Sequence, residues 1–172
     1  MEENPERNIV NKVVVVTGSS RGIGANIVKT LAKKGYRVIL NYNKSENYAQ
    51  NVQKELINVD IFKADVSKKA EAVSLINFAI EKYGKIDVLI NNAGISQSKL
   101  FTDLTDEDWN NIINSNLNSA FFCSREAAKN MIHNKSGLII NISSIWGITG
   151  ASCEVAYSTS KAALNGFTKA LA

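Results

Sequence analysis

A tyrosine and a lysine stand four residues apart, at Tyr157 and Lys161, within the stretch AYSTSKAALNGF. Residues at this spacing lie on the same face of a helix, with Cβ atoms about 5–6 Å apart. A free tyrosine has a pKa near 10, and lowering it by about 2 units requires about 2.7 kcal/mol. An ammonium about 4–5 Å away supplies about 3–4 kcal/mol at an effective dielectric constant of about 20. The pair could therefore transfer protons near neutral pH, although two unrelated neighbours on a helix would have the same spacing.

The composition predicts one ordinary globular domain. The 172 residues are 45% hydrophobic and 21% charged, and a chain of this length can bury a substantial core. The net charge of +4 is compatible with an anionic cofactor or an acidic partner. Basic residues form only isolated pairs such as Lys33 with Lys34, so the sequence lacks the basic stripe of a nucleic-acid interface.

Cysteine and histidine residues offer little to a metal or to thiol chemistry. Cys123 and Cys153 match no metal-ligand or redox spacing, and we expect both to be reduced structural residues. His133 is the only histidine, and we expect it at the surface near a helix end. The first ten residues contain no apolar signal region, and no run approaches the roughly 20 apolar residues of a membrane span. The sequence therefore predicts a cytoplasmic protein with no metal and no membrane contact.

Apolar, β-branched runs alternate with segments of helical periodicity, which predicts an α/β fold with a doubly wound parallel sheet. The predicted strands lie at 12–18, 37–42, 59–66, 87–94 and 137–144. The predicted helices lie at 23–34, 45–57, 68–83, 105–131 and 154–172. Gly35 and Gly84 give C-cap signals, and Thr105 with Asp108 forms an approximate capping box.

The first strand runs directly into TGSSRGIG, which places Gly18, Gly22 and Gly24 at a strand-to-helix turn. Residues without a Cβ let the backbone approach a pyrophosphate, and the N-terminus of the following helix offers free N–H groups to the phosphates. NNAG at 91–94 and the serines at 143–144 end strands on the same edge of the sheet. The pattern predicts a dinucleotide site, with a glycine-rich turn that binds no ligand as the alternative.

Five motifs in this order resemble those of the short-chain dehydrogenase/reductase family, over about residues 10–172: TGSSRGIG, NNAG, SNL at 115–117, Ser144 and YSTSK. The resemblance implies an NAD(P)-binding Rossmann domain over residues 1–172. It also implies a catalytic set made of Asn116, Ser144, Tyr157 and Lys161.

In that family's scheme Tyr157 is the acid–base group and Lys161 also binds the nicotinamide ribose. Ser144 holds the substrate oxygen, and Asn116 orders a water molecule in a proton relay. The neighbouring Ser143 is an alternative to Ser144, and a buried helix-kink role is the alternative for Asn116.

The resemblance also implies NADP(H) as cofactor. NAD-preferring relatives carry an acidic residue at the end of the second strand, where this chain reads Asn41-Tyr42-Asn43-Lys44. Arg21 and Lys44 could pair with a 2′-phosphate, and Asp65 resembles the residue that meets the adenine, with a turn-capping aspartate as the alternative. The residues expected to bind the cofactor are Gly18, Ser20, Arg21, Gly22, Ile23, Gly24, Asn41, Lys44, Asp65, Val66, Asn92, Ala93, Gly94, Tyr157 and Lys161.

Within the family the motifs look most like those of 3-oxoacyl-[acyl-carrier-protein] reductases of fatty acid biosynthesis. This implies reduction of a ketone, carried as a thioester on a small acidic protein, to a secondary alcohol. A reductase of another small ketone, sugar or alcohol and a non-catalytic nucleotide-binding fragment are the alternatives. The resemblance further implies a homo-oligomer, a dimer or tetramer, formed through helices 105–131 and 154–172. The small and apolar residues that would suit this packing are Ala120, Phe121, Ala162, Ala163 and Phe167.

Family members continue through two more strands and a further helix, so we expect this chain to be a fragment that lacks the C-terminal strands, with a truncated product of impaired activity as the alternative. Its only proline is Pro5, so the proline–glycine turn that relatives carry near the nicotinamide is not found. We expect the sheet to end at the fifth strand with an unpaired apolar edge, which is an aggregation hazard.

Overall fold

The computed structural model describes residues 11–172, so Pro5 lies outside the described residues. Five strands form one parallel sheet in the order β3-β2-β1-β4-β5. The strands are β1 Val13–Val16, β2 Arg37–Tyr42, β3 Val59–Lys63, β4 Val88–Asn91 and β5 Leu138–Asn141. The predicted fold class, a doubly wound α/β sheet of the Rossmann type, is confirmed.

Helices connect and cover the strands. They are α1 Gly22–Lys33, α2 Glu46–Lys54, α3 Lys69–Tyr83, α4 Asp106–Ile113, α5 Ser119–His133, α6 Trp146–Thr149 and α7 Val155–Leu171. A 3₁₀ turn at Phe101–Asp103 precedes α4. The predicted capping box is present, because Thr105 and Asp108 exchange backbone and side-chain hydrogen bonds. Gly84, at φ 77°, ends α3 in the left-handed conformation that favours glycine.

Two of these helical features differ from the expectation. The stretch predicted as one helix at 105–131 contains a π-helical segment, Asn114–Asn118, between α4 and α5. The short helix α6 lies between the last predicted strand and the last predicted helix. Both features adjoin residues of the predicted catalytic set.

The central strands β1, β2 and β4 are buried on both faces, which explains their continuous apolar runs. Val13 and Val15 of β1 pack in a cluster with residues of α3 and α5, including Leu75. Val14 and Val16 point the other way and pack in a cluster with residues of α1 and α2. One strand thus contributes alternate side chains to two core layers.

The strand order reverses beside β1. The chain proceeds from β1 to β2 and β3 on one side and then crosses to β4 and β5 on the other. The carboxyl ends of β1 and β4 therefore diverge into a crevice, which is where open α/β sheets bind their ligands.

The strand β5 forms an apolar edge, as expected. Within residues 11–172 it pairs only with β4, and Leu138 is 53% exposed and Ile140 37% exposed. Beside it lies a groove of about 610 Å³ whose lining includes Met131, Leu138 and Leu171.

The sequence also predicted reduced structural cysteines, a surface histidine near a helix end and no membrane span. Cys123 is buried, Cys153 is partly buried, and both are free thiols. His133 is the exposed last residue of α5. No helix within residues 11–172 has the length and apolarity needed to cross a membrane.

Candidate active site

The turn after β1 touches the segment after β4. At Gly18, where φ is +58°, a Cβ would lie 2.7 Å from Ala93 Cα, so no other residue fits without displacing the backbone. Thr17 Oγ1 accepts hydrogen bonds from the N–H groups of Asn92 and Ala93, each at 3.0 Å. The Asn92 amide donates to the Thr17 and Gly18 carbonyls, both at 3.0 Å. These contacts fix the inner end of the crevice.

The N-terminus of α1 opens onto the crevice with its backbone donors available. Arg21, at the N-cap, makes no side-chain capping hydrogen bond, and the first turn contains no acidic residue. Apart from its chain neighbours and the backbone of its own helix, no atom of residues 11–172 lies within 4 Å of where a Gly22 Cβ would stand. Free N–H groups and the positive end of the helix dipole suit a phosphate. The cradle therefore fits the pyrophosphate of a dinucleotide.

Asn41, at the end of β2, braces the glycine turn from behind. The Gly18 N–H donates to Asn41 Oδ1 at 3.0 Å, and Asn41 Nδ2 donates to the carbonyls of Phe62 and Ala64 at 3.3 and 3.0 Å. The residue is 1% exposed. Its side chain is thus engaged with protein groups and holds the turn against the end of β3.

The crevice has a volume of about 710 Å³ and extends along the carboxyl edge of the sheet. Most of the predicted cofactor residues line it: Gly18, Ser20, Arg21, Ile23, Gly24, Asn41, Lys44, Asp65, Val66, Asn92, Ala93 and Gly94. Gly22, Tyr157 and Lys161 are not among its lining residues, and neither are Ser144 and Asn116.

Part of the lining was not predicted from the sequence: Tyr42, Asn43, Ser45, Ala64, Ser67, Ile95, Asn111 and Ser115. Most of these adjoin a residue that was predicted, so the strand ends themselves gave the available signal. Ser115 lies in the π-helical segment beside Asn116 and belongs to the SNL motif, whereas Asn111, in α4, had no motif to mark it.

Charge in the crevice is mainly positive. Its lining includes Arg21 and Lys44, both exposed, and one carboxylate, Asp65. Asp65 Oδ1 accepts from the Ser67 N–H at 3.1 Å and from the Ser67 hydroxyl at 2.6 Å. Asp65 therefore caps a local turn, which is the alternative role given for it above. It also lines the crevice.

Lys161 lies where the strand ends and α7 converge. It is 5% exposed, and its Nζ donates to the Ile142 carbonyl, just past β5, at 2.8 Å. The same Nζ is 5.8 Å from the centre of the Tyr157 ring and 3.5 Å from where a Gly94 Cβ would stand. Burial lowers the pKa of Lys161 below its ordinary value of 10.5. The structure thus brings the tyrosine and lysine together beside NNAG.

The two serines after β5 play different parts. Ser143 donates its hydroxyl hydrogen to the Lys161 carbonyl at 3.2 Å, which ties it to α7. Ser144 Oγ instead accepts from the Trp146 N–H at 3.2 Å, so its own hydrogen is available to a ligand. This difference favours Ser144 over Ser143 as the substrate-binding hydroxyl.

Helix α6 holds Ser144 close to α7. A Cβ on Gly147 would stand 2.7 Å from the Lys161 carbonyl carbon, so the two backbones are in direct contact. Asn165 also donates to the Gly147 carbonyl at 3.2 Å. The segment that carries Ser144 therefore packs directly against the helix that carries Tyr157 and Lys161.

Asn116 lies in the π-helical segment and is 1% exposed. Its Oδ1 accepts from the Ile95 N–H at 2.8 Å, and its Nδ2 donates to the Ile95 carbonyl and to Ser160 Oγ, each at 2.9 Å. Both amide hydrogens are engaged with protein groups. The side chain therefore joins the segment after β4 to α7, as the helix-kink alternative for this residue anticipates.

Comparison with known proteins agrees with this geometry. The short chain dehydrogenase family matches residues 12–172. A 3-oxoacyl-[acyl-carrier-protein] reductase of Synechocystis sp. is 39% identical over 165 residues, covering 94% of this chain and 67% of that protein. The uncharacterized oxidoreductase YmfI of Bacillus subtilis is 38% identical over 168 residues, with 95% and 68% covered. The 3-oxoacyl-[acyl-carrier-protein] reductase FabG of Staphylococcus aureus is 37% identical over 167 residues, with 95% and 68% covered.

We predict that Asn41→Ala lowers the free energy of unfolding by about 2–4 kcal/mol, because it leaves buried backbone groups of the turn and of β3 without partners. Asn43→Ala, two residues along at an exposed position, should change it by no more than about 0.5 kcal/mol. Urea unfolding of the two variants measures the difference. Equal effects would show that Asn41 does not brace the turn.

Proposed function

The chain belongs to the short-chain dehydrogenase family, and from this premise we propose that it reduces a ketone to a secondary alcohol by hydride transfer from NADPH. Members of this family bind nicotinamide cofactors. The observation that carries the proposal is the buried Lys161 ammonium beside the Tyr157 ring, next to Ser144 with its available hydroxyl hydrogen.

The crevice supplies the cofactor site of this proposal. The Gly18 and Gly24 backbone and the N-terminus of α1 would hold the pyrophosphate, and Lys161 would hold the nicotinamide ribose. Arg21 and Lys44 would pair with the 2′-phosphate, which no carboxylate at the end of β2 repels. When bound, the cofactor supplies the hydride.

The residues of this chain would manage the proton and the developing charge. Ser144 donates a hydrogen bond to the ketone oxygen, and Tyr157 donates its phenolic proton to the same oxygen as the carbonyl carbon accepts the hydride. The product is the secondary alcohol, and a phenolate remains on Tyr157. The Lys161 ammonium stabilises that phenolate, and the buried setting strengthens the interaction.

For the substrate we propose a 3-oxoacyl thioester on acyl carrier protein. Two of the relatives above are named for that reaction, and the net charge of +4 suits an acidic carrier. A reductase of another small ketone, sugar or alcohol is the second candidate, because YmfI matches the chain equally well. The chain covers about two thirds of the length of these relatives. A non-catalytic nucleotide-binding module is the third candidate.

We predict that Tyr157→Phe lowers kcat by about 10²- to 10⁴-fold, because it removes the proton donor. NADPH affinity should fall far less than kcat, because the aromatic ring of Tyr157 is kept and only its contribution to cofactor binding through the hydroxyl is lost. NADPH oxidation with a short 3-oxoacyl thioester measures kcat. Tyr48→Phe, 58% exposed on α2, is the matched control and should keep the wild-type rate. A Tyr157→Phe variant that keeps more than half of kcat would refute the assignment. NADPH binding by the wild type without turnover of any ketone would favour the nucleotide-binding fragment.

The charge of the crevice predicts tighter binding of NADPH than of NADH. Lys44→Ala should weaken NADPH binding about five- to tenfold and leave NADH binding unchanged, because only NADPH carries the 2′-phosphate. Fluorescence titration of both cofactors measures this, with the exposed Lys34→Ala as control. Equal losses for the two cofactors, or tighter NADH binding in the wild type, would contradict the choice of NADP(H).

We propose in addition that the protein is a homo-oligomer, a dimer or tetramer, formed through α5 and α7. Phe121 of α5 is 39% exposed with Arg125 stacked over its ring, whereas the neighbouring Ala120 is buried within its own chain. Sedimentation should give a species larger than the monomer. A stable monomer at micromolar concentration would contradict the proposal.

A further inference from the structure

Ser160 lies inside the YSTSK motif, but the proposed chemistry gives it no part. It is 0% exposed, and its hydroxyl is bonded in both directions. Ser160 Oγ donates to the Tyr157 carbonyl at 2.7 Å and accepts from Asn116 Nδ2 at 2.9 Å. The hydroxyl hydrogen of Ser160 and one lone pair of its oxygen are therefore both engaged in hydrogen bonds.

These bonds belong to a longer chain of contacts. The Asn116 amide binds both the N–H and the carbonyl of Ile95, at 2.8 and 2.9 Å. The chain therefore runs from Ile95, after β4, through Asn116 in the π-helical segment and Ser160 to the backbone of Tyr157. Its two linking side chains are 0–1% exposed. Removing one partner there leaves a buried polar group without its hydrogen bond, so each bond restricts the geometry strongly.

We infer that Ser160 is a positioning residue for the proposed reaction, which holds the first turn of α7 against Asn116 so that the Tyr157 phenol keeps its place beside Lys161. A serine that bonds a carbonyl three residues back commonly bends its helix locally. Here a third group, the Asn116 amide, fixes that hydroxyl from outside the helix. The position of Ser160 between Asn116 and Tyr157 rests on the observed hydrogen bonds. Its expected effect on the reaction rests on the proposed function.

The same helix provides a matched comparison. Ser158 lies two residues before Ser160, and its Oγ is also closed to solvent but has no hydrogen-bond partner within the described residues. If Ser160 served only to fill space, alanine would replace either serine with the same small effect. If Ser160 positions Tyr157, only its replacement should disturb the tyrosine.

The test compares Ser160→Ala, Ser160→Thr and Ser158→Ala in the full chain, with ¹³C-labelled tyrosine rings observed by NMR. Tyr157→Phe identifies the Tyr157 resonance among the labelled rings. We expect Ser160→Ala to shift that resonance, and Ser158→Ala to leave it in place. Ser160→Thr, which keeps a hydroxyl, should return the resonance towards its wild-type position.

Kinetics give the second measurement. Ser160→Ala should lower kcat for NADPH-dependent ketone reduction about 10- to 100-fold, because a displacement of about 1 Å at a reacting group has that effect. The KM for the ketone and the affinity for NADPH should change less than about twofold, which separates a positioning role from a general loss of structure. Ser158→Ala should keep the wild-type kcat.

An unmoved Tyr157 resonance in folded Ser160→Ala overturns the inference, whatever the rate. If Ser160→Ala does not fold, the near-isosteric Ser160→Cys, a weak donor, takes its place, and the same resonance decides. Absence of turnover in the wild type would count against the proposed function alone, because the NMR comparison needs no substrate.

Discussion

The contact between the turn after β1 and the segment after β4 determines the rest of the site. Gly18 and Ala93 approach so closely that a Cβ on the glycine would stand 2.7 Å from the alanine Cα. Thr17 Oγ1 stabilises the same junction by accepting hydrogen bonds from two backbone N–H groups. Because β1 and β4 flank the reversal of strand order, this junction closes the inner end of the crevice. It also brings Gly94 within reach of Asn116 and Lys161, so the glycine turn and these residues of the proposed catalytic set adjoin the same segment.

The burial of Lys161 lowers stability, and the proposed function gives a reason for it. Taking an ammonium out of water is unfavourable by several kcal/mol unless a partner compensates. Among the described residues its Nζ donates to one carbonyl, that of Ile142, and forms no ion pair. The lowered pKa reflects that cost. An unpaired cation can stabilise a neighbouring phenolate, whereas a carboxylate partner would cancel its field. Buried groups of this kind concentrate at functional sites.

The sequence was informative where one physical rule dominates. Continuous apolar runs predicted strands buried on both faces, and the glycine turn and NNAG were placed at one edge because parallel strands present their carboxyl ends there. The family resemblance added the other predicted lining residues, such as Arg21, Lys44 and Asp65. The π-helical segment was not predicted, since its apolar spacing resembles that of an ordinary helix and the hydrogen bonds of its Asn116 go to Ile95, a residue distant in the sequence. The bracing role of Asn41 was missed for the same reason, because its partners lie on another strand. Contacts between distant segments leave no periodic signal in the sequence.

The central claim is that this crevice brings a hydride donor to a ketone held by Ser144 and Tyr157. The most direct measurement incubates the chain with NADPH that carries deuterium at both C4 positions of the nicotinamide and with a short 3-oxoacyl thioester, and analyses the product by mass spectrometry. The account predicts a 3-hydroxyacyl thioester with one deuterium on the carbinol carbon. Bound NADPH with no labelled alcohol, or an alcohol without deuterium, would contradict it.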